Sequence, residues 1–211
     1  MPQTKLIPLT YLGPIQLYAH ILNSKQAIVE QHARYQRKTY CNHCTITGAN
    51  GPLKLTVPVA KAGDDKTLIK DMRISYDTQW QKQHWRSIVA AYNSSPFFEY
   101  YADDFVPFYE KKIKYLIDLN MGLMNTLFDE LEVDIEASLS EQYYDELAED
   151  TLDLRRAIHP KVKPTNDLGY QTIEYRQVFA EKYPFVPNLS VIDLLFSKGP
   201  ETYDILEASI L

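Results

Sequence analysis

Apolar residues recur along this chain with two different periods. Leu6-Ile7-Pro8-Leu9 is a short apolar run, Pro14 to Leu22 carries apolar side chains at Ile15, Leu17, Tyr18, Ile21 and Leu22, and Ala27-Ile28-Val29 is a second unbroken run. Short continuous runs suit buried strands, and the spacing between them suits a helix whose first turn holds Pro14, where a missing N–H costs nothing. The pattern predicts strand, helix, strand, with the strands parallel and covered on both faces. Thr45 to Thr47 and Leu53 to Val59 then flank Gly48-Ala49-Asn50-Gly51. The Asn-Gly step predicts a hairpin turn, because both residues tolerate positive φ. Asp71 to Ile74 offers one further strand.

Beyond this the period becomes helical. Gln79 to Asn93 places Trp80, His84, Ile88 and Ala91 on one face, and Asp104 to Leu131 repeats Phe105, Phe108, Tyr109, Ile113, Leu116, Ile117, Met124, Leu127 and Phe128, the pattern of one long amphipathic helix. Between Glu132 and Pro164 apolar residues thin out. Six carboxylates lie between Glu141 and Asp153, and Arg155-Arg156 and His159-Pro160-Lys161 follow, so the sign of charge reverses within a few residues. This reads as a surface excursion with a strand near Ile135; a solvated connection and a functional lid are both open. In the tail, Tyr170 to Phe179 mixes β-branched and aromatic residues. Asn188-Leu189-Ser190 offers caps ahead of Val191, Ile192 and Leu194 to Phe196, and Gly199-Pro200 stops that helix. The expected fold is a single α/β domain spanning 1–211: a sheet-rich part at 1–78, a helical part at 79–131, the excursion at 132–168 and a returning segment with C-terminal helices at 169–211.

Composition removes several classes of function. Apolar residues make up 45% and charged residues 24% of 211, ordinary for a globular domain. The net charge of −6 comes without any basic stripe, so no nucleic-acid partner is expected. No segment is apolar for the roughly 20 residues a bilayer span needs, and MPQTKLIPLT lacks a secretory pattern, so a cytoplasmic location is expected. The two cysteines, Cys41 and Cys44, are spaced C-x-x-C. That spacing raises zinc or redox chemistry. Zinc needs four ligands, however, and a redox motif needs a helix start where Thr45-Ile46-Thr47 reads as strand, so two small structural thiols and no metal or cofactor are expected. Nucleotide-loop glycine motifs, a G-x-S-x-G elbow and an H-E-x-x-H helix are absent from the sequence.

Tyr11-Leu12-Gly13-Pro14, Arg37-x-x-Tyr40-x-Asn42, Leu55-Thr56-Val57-Pro58-Val59, Trp80-x-x-x-His84-x-x-Ser87-Ile88-x-x-Ala91-Tyr92 and Asn188 to Leu195 together resemble the WbqC-like family, in the same order and over nearly the whole chain. His43 stands where relatives often carry arginine and His32 where many carry aspartate. The resemblance implies a cytoplasmic bacterial protein in the company of genes for O-antigen and other surface polysaccharides. It also marks Tyr11, Ser87 and Tyr92 as candidate ligand contacts.

The polar stretch between Glu30 and Asn42 is the first candidate site. Arg37 offers a planar fork for phosphate or carboxylate, Asn42 a donor and an acceptor, and Tyr40 a face for stacking, a trio suited to an anionic, hydroxyl-rich ligand; a water-facing strand is the alternative. His84 is a candidate catalytic group, expected to face a polar cavity shared with the Arg37 to Asn42 segment, although a histidine on an apolar helix face is commonly a bonded core residue. His32 is a candidate general base at the carboxyl end of the second strand, oriented by Glu30. His20 and His159 have no comparable setting. The 16 tyrosines give weak support to a sugar ligand. Two functions follow: a transferase moving an acyl or aminoacyl group onto a nucleotide- or lipid-linked sugar, or a non-catalytic protein that binds such a sugar or nucleotide sugar. A homodimer is the candidate assembly.

Overall fold

The computed structural model describes residues 4–60, 67–133 and 135–211. β1 (Thr4–Pro8), α1 (Ile15–Leu22) and β2 (Gln26–Glu30) form the expected unit, with β1 and β2 parallel, Leu6 opposite Ile28 and Pro8 opposite Glu30. The amino end of α1 is completed from far along the chain. The Ile15 N–H donates to the Leu189 carbonyl at 3.0 Å and the Gln16 N–H to Asn188 Oδ1 at 2.9 Å. Asn188, expected to cap the helix that follows it, therefore serves the first helix instead, and the Ser190 hydroxyl donates to the Leu12 carbonyl.

β3 (His43–Ile46) and β4 (Leu53–Thr56) pair antiparallel in a separate two-stranded sheet, and Gly51 takes the positive φ (100°) that its turn requires. Asp71 to Ile74 does not become a strand: a 3₁₀ turn at Ile69–Asp71 is followed by single bridges, Arg73 to Tyr115 and Val59 to Ile74. α2 (Trp80–Tyr92) forms as its spacing predicts. The long helix expected from Asp104 is divided into α3 (Phe98–Phe105), α4 (Pro107–Glu110) and α5 (Leu116–Glu130). Pro107 starts a new helix where it has no N–H to offer its predecessor. After Glu110 the chain turns extended because Tyr76 captures it, its hydroxyl accepting the Ile113 N–H at 2.7 Å and donating to the Ile113 carbonyl at 2.8 Å.

The excursion contributes more than one strand. β5 (Glu136–Leu139) lies near the predicted position and pairs with β2, but β6 (Thr151–Asp153) also joins the sheet, beside β1. The order is β5-β2-β1-β6, all parallel. Both added strands are edges, short and partly polar, which is why apolar periodicity does not reveal them. α6 (Val191–Lys198) and α7 (Glu201–Ala208) pack on α1, separated by Gly199 at φ 56°. α6 is buried nearly all round, including Asp193, whose carboxylate accepts hydrogen bonds from the Tyr92 hydroxyl at 2.6 Å and the Tyr175 hydroxyl at 2.7 Å. No helix among the described residues is long and apolar enough to cross a membrane.

Candidate functional site

Parallel pairing brings the carboxyl ends of all four strands to one side, the position at which open α/β sheets present ligand sites. A cavity of about 590 Å³ opens there, bordered by Pro8 at the end of β1 with Leu9 beyond it, Glu30 at the end of β2, Tyr143 to Asp145 beyond β5 and Asp153 at the end of β6. Its centre is a buried ion pair. Glu30 is 2% exposed, and its Oε1 accepts the backbone N–H groups of His32 at 2.7 Å and Ala33 at 3.1 Å and the Ser140 hydroxyl at 3.3 Å. Its Oε2 accepts from Arg155 Nη1 at 3.1 Å.

Arg155 binds three neighbours at once. Besides Glu30 it donates to the Asp153 carboxylate through Nε and Nη2 and to the Tyr144 carbonyl at 2.9 Å, while the Tyr143 ring lies 4.8 Å from the guanidinium carbon. The Asp153 carboxyl is held below its ordinary range: partial burial pushes it up, and the bonds from Arg155 with the nearby charge of Arg156 push it down further. The chain beyond β6 makes one helical turn, Ile158 N–H to Leu154 carbonyl at 3.0 Å, and this sets Arg155, Arg156 and His159 along the cavity. His159, which had no assigned setting in the sequence, is thus a lining residue. Its Nδ1 accepts the Lys161 N–H at 3.1 Å, so the neutral ring carries its proton on Nε2.

The opposite bank is the segment after β2, whose backbone is laid against residues 67–70 by bonds from Ile69 to Ala33, Tyr35 to Thr67 and Lys70 to Gln31. Arg34, Gln36, Thr39, Tyr40 and Cys41 face the cavity from this side. Burial raises the Tyr40 hydroxyl above its ordinary pKa and pushes the Cys41 thiol up to about 12. Cys44 is raised too, again chiefly by burial, so both cysteines are protonated thiols at neutral pH. Among the described residues, no group of three or more His, Cys, Asp or Glu side chains could hold a metal ion.

The candidates named from the sequence are dispersed. Tyr40 lines the cavity, whereas Arg37 is exposed outside it and Asn42 is buried at the open end of the hairpin, its Nδ2 donating to the Val57 carbonyl at 2.9 Å. His32 is half-buried and meets Glu30 through its backbone N–H rather than its ring. His84 is buried in α2 with Nδ1 2.9 Å from the Tyr11 hydroxyl, which in turn lies 2.9 Å from that of Tyr109. Burial lowers the His84 pKa to about 4, a hydrogen bond to the Thr56 backbone working the other way. Neither His84 nor Tyr11 lines the cavity; the Tyr11 N–H reaches the Tyr40 carbonyl at 2.8 Å, and that is their link to it. Ser87 bonds the Gln83 carbonyl within its own helix, and Tyr92 lies in the interior with Asp193. The residues that reasoning from sequence passed over are Arg155, Arg156, His159 and Tyr143 to Asp145. Their signal was the abrupt change from carboxylates to arginines, taken for the charge of a segment lying in solvent.

The model of the WbqC-like protein family matches residues 9–166 and 163–205. The chain belongs to that family. The uncharacterized protein Rv1507c of Mycobacterium tuberculosis is 28% identical over 236 residues, an alignment that covers 97% of this chain and 95% of the relative. No solved structure matches the chain. The first range matched to the WbqC-like family runs from Leu9 past His159 and so takes in both banks of the cavity.

Proposed function

We propose that this WbqC-like chain binds a nucleotide- or lipid-linked sugar in the cavity at the strand ends and transfers an acyl or aminoacyl group to it, in the cytoplasm, as a step in making surface polysaccharide. The observation that carries this reading is the make-up of the cavity. At about 590 Å³ it has the size of a small-molecule site, and its walls combine tyrosine faces with arginine, amide, hydroxyl and carboxylate groups. Tyrosine offers a flat apolar face and a polar tip, a combination that suits a hydroxyl-bearing ring. Asp145, which lines the cavity and has no ion-pair partner among the described residues, is the carboxylate available to accept a proton from an acceptor hydroxyl or amine.

A second reading, a sugar-binding protein without chemistry, is favoured by a specific observation. Glu30 accepts from four donors, Asp153 from Arg155 and His159 Nδ1 from Lys161, so the three other groups able to act as bases are already engaged. Thermal shift of the full chain against nucleotide sugars, with and without acyl donors, tests both readings, because a ligand that binds only the folded state raises Tm. Mass spectrometry of the same mixtures then decides between them: an acylated sugar supports the transferase, and stabilisation without product supports the binding protein. If no sugar of any class raises Tm, the cavity assignment is wrong.

A further inference from the structure

The charged groups lining the cavity do not all stand free. Glu30 and Asp153 are both ion-paired to Arg155, which also holds the Tyr144 carbonyl and lies against the Tyr143 ring. Arg155 is therefore a positioning residue: it ties β2, β6 and the wall beyond β5 together, and at most one of its N–H groups is left over. The arginine ion pairs among the described residues are those of Arg155 and Arg176. Arg34 and Arg156, by contrast, are exposed side chains on the cavity rim that form no ion pair among the described residues.

Both are carried on backbone that is fixed. Arg34 lies between Ala33 and Tyr35, each bonded to the 67–69 segment, and forms a bridge with Leu68. Arg156 sits within the turn closed by the Ile158 to Leu154 bond, next to the immobilised Arg155. They belong to opposite banks. Two guanidinium forks on opposite rims of a tyrosine-lined cavity, with Glu30 and Asp153 both held by Arg155 rather than by either of them, match a ligand that brings its own negative charge.

We propose that Arg34 and Arg156 together hold the diphosphate of the ligand, with the sugar directed toward Tyr40 and Tyr143. The inference rests on the reading of the cavity as a sugar site and adds to it the chemical class of the ligand, a diphosphate ester. Nucleotide sugars and polyprenyl-linked sugars share that group, and the structure assigns the shared group rather than its source.

The test is calorimetric titration of the full chain with inorganic pyrophosphate, N-acetylglucosamine, UDP-N-acetylglucosamine and a detergent-solubilised polyprenyl diphosphate sugar. The variants are Arg34→Ala, Arg156→Ala and Arg156→Lys, with Arg73→Ala as a control whose guanidinium lies over Tyr115 on another part of the surface. Pyrophosphate is expected to bind the wild type and to weaken roughly tenfold or more in each alanine variant, the loss of a charge-assisted hydrogen-bonding group, with Arg73→Ala unchanged. Arg156→Lys should recover only part of the loss, because an ammonium lacks the fork. Whichever diphosphate ester binds more tightly than pyrophosphate identifies the source. Pyrophosphate binding that survives both alanine substitutions overturns the clamp. Binding of N-acetylglucosamine without any binding of pyrophosphate also overturns it, but leaves the sugar site standing. If none of the four probes binds, the clamp is overturned, and the reading of the cavity falls with it when no other sugar raises Tm either. Unaltered Tm in the variants establishes that a loss of binding is local.

Discussion

Replacing Arg155 with methionine isolates the central ion pair. Glu30 is 2% exposed, so the variant leaves a carboxylate inside the protein with three neutral donors, the N–H groups of His32 and Ala33 and the Ser140 hydroxyl. Removing one partner of a buried pair costs about 3–5 kcal/mol, and the retained donors place this case in the lower half of that range. The lost bond to the Tyr144 carbonyl adds about 1 kcal/mol. The bonds to Asp153 contribute little, since that side chain is 36% exposed. A loss of about 4 kcal/mol follows, and a chain of this length should then melt roughly 10 °C lower. Urea unfolding followed by the fluorescence of Trp80 and Trp85 measures it directly. Adding Glu30→Gln removes the stranded charge, and the double variant should regain at least about 1 kcal/mol over Arg155→Met alone. If the single variant loses less than about 1 kcal/mol, or the second substitution fails to restore stability, the pair does not organise the cavity as described.

Two further outcomes follow from buried titratable groups. His84 has a folded pKa of about 4 against an ordinary 6.5, so protons favour the unfolded chain; its share of stability is complete above about 6.5 and declines as pH falls toward about 4. Urea midpoints across that window should fall more steeply for the wild type than for His84→Gln, and parallel curves would refute the assignment. Cys41 and Cys44 are buried with raised pKa values, so a thiol reagent at neutral pH should modify neither in the native protein and both in urea, whereas rapid native labelling would mean that Cys41 is open to the cavity as thiolate.

What could be read from the sequence was what local forces determine. The β1-α1-β2 unit followed from unbroken apolar runs around Pro14, and the hairpin from Asn50-Gly51, because burial on both faces and a positive φ leave marks within a few residues. β6 left almost none: Thr151-Leu152-Asp153 is a strand because β1 offers it an open edge, not because of its own pattern. The break in the expected long helix came from Tyr76, far away in sequence, binding Ile113. The same limit governed the site. Glu30 stood where strand-end geometry placed it, and Tyr40 faces the cavity, yet the partner of Glu30 is Arg155, 125 positions away. Asn42 and His84 looked functional because polar groups near apolar ones resemble a site, and each proved to be anchored by a bond to a connecting segment, at Val57 and Tyr11.

The place of β1 has a consequence for how the protein is made. The first strand of the chain ends up in the interior of the sheet, and β6, its neighbour on one side, emerges only after Asp150. Until then one edge of an apolar strand lacks its partner, and the bonds from Ile15 and Gln16 to Leu189 and Asn188 wait longer still. Pairings so distant in sequence form late and slowly. A nascent chain released before β6 exposes an unpaired Leu6-Ile7 edge to its neighbours, the condition in which strands add to one another between molecules. Truncated forms of this protein should accordingly collect as aggregates rather than as smaller folded pieces.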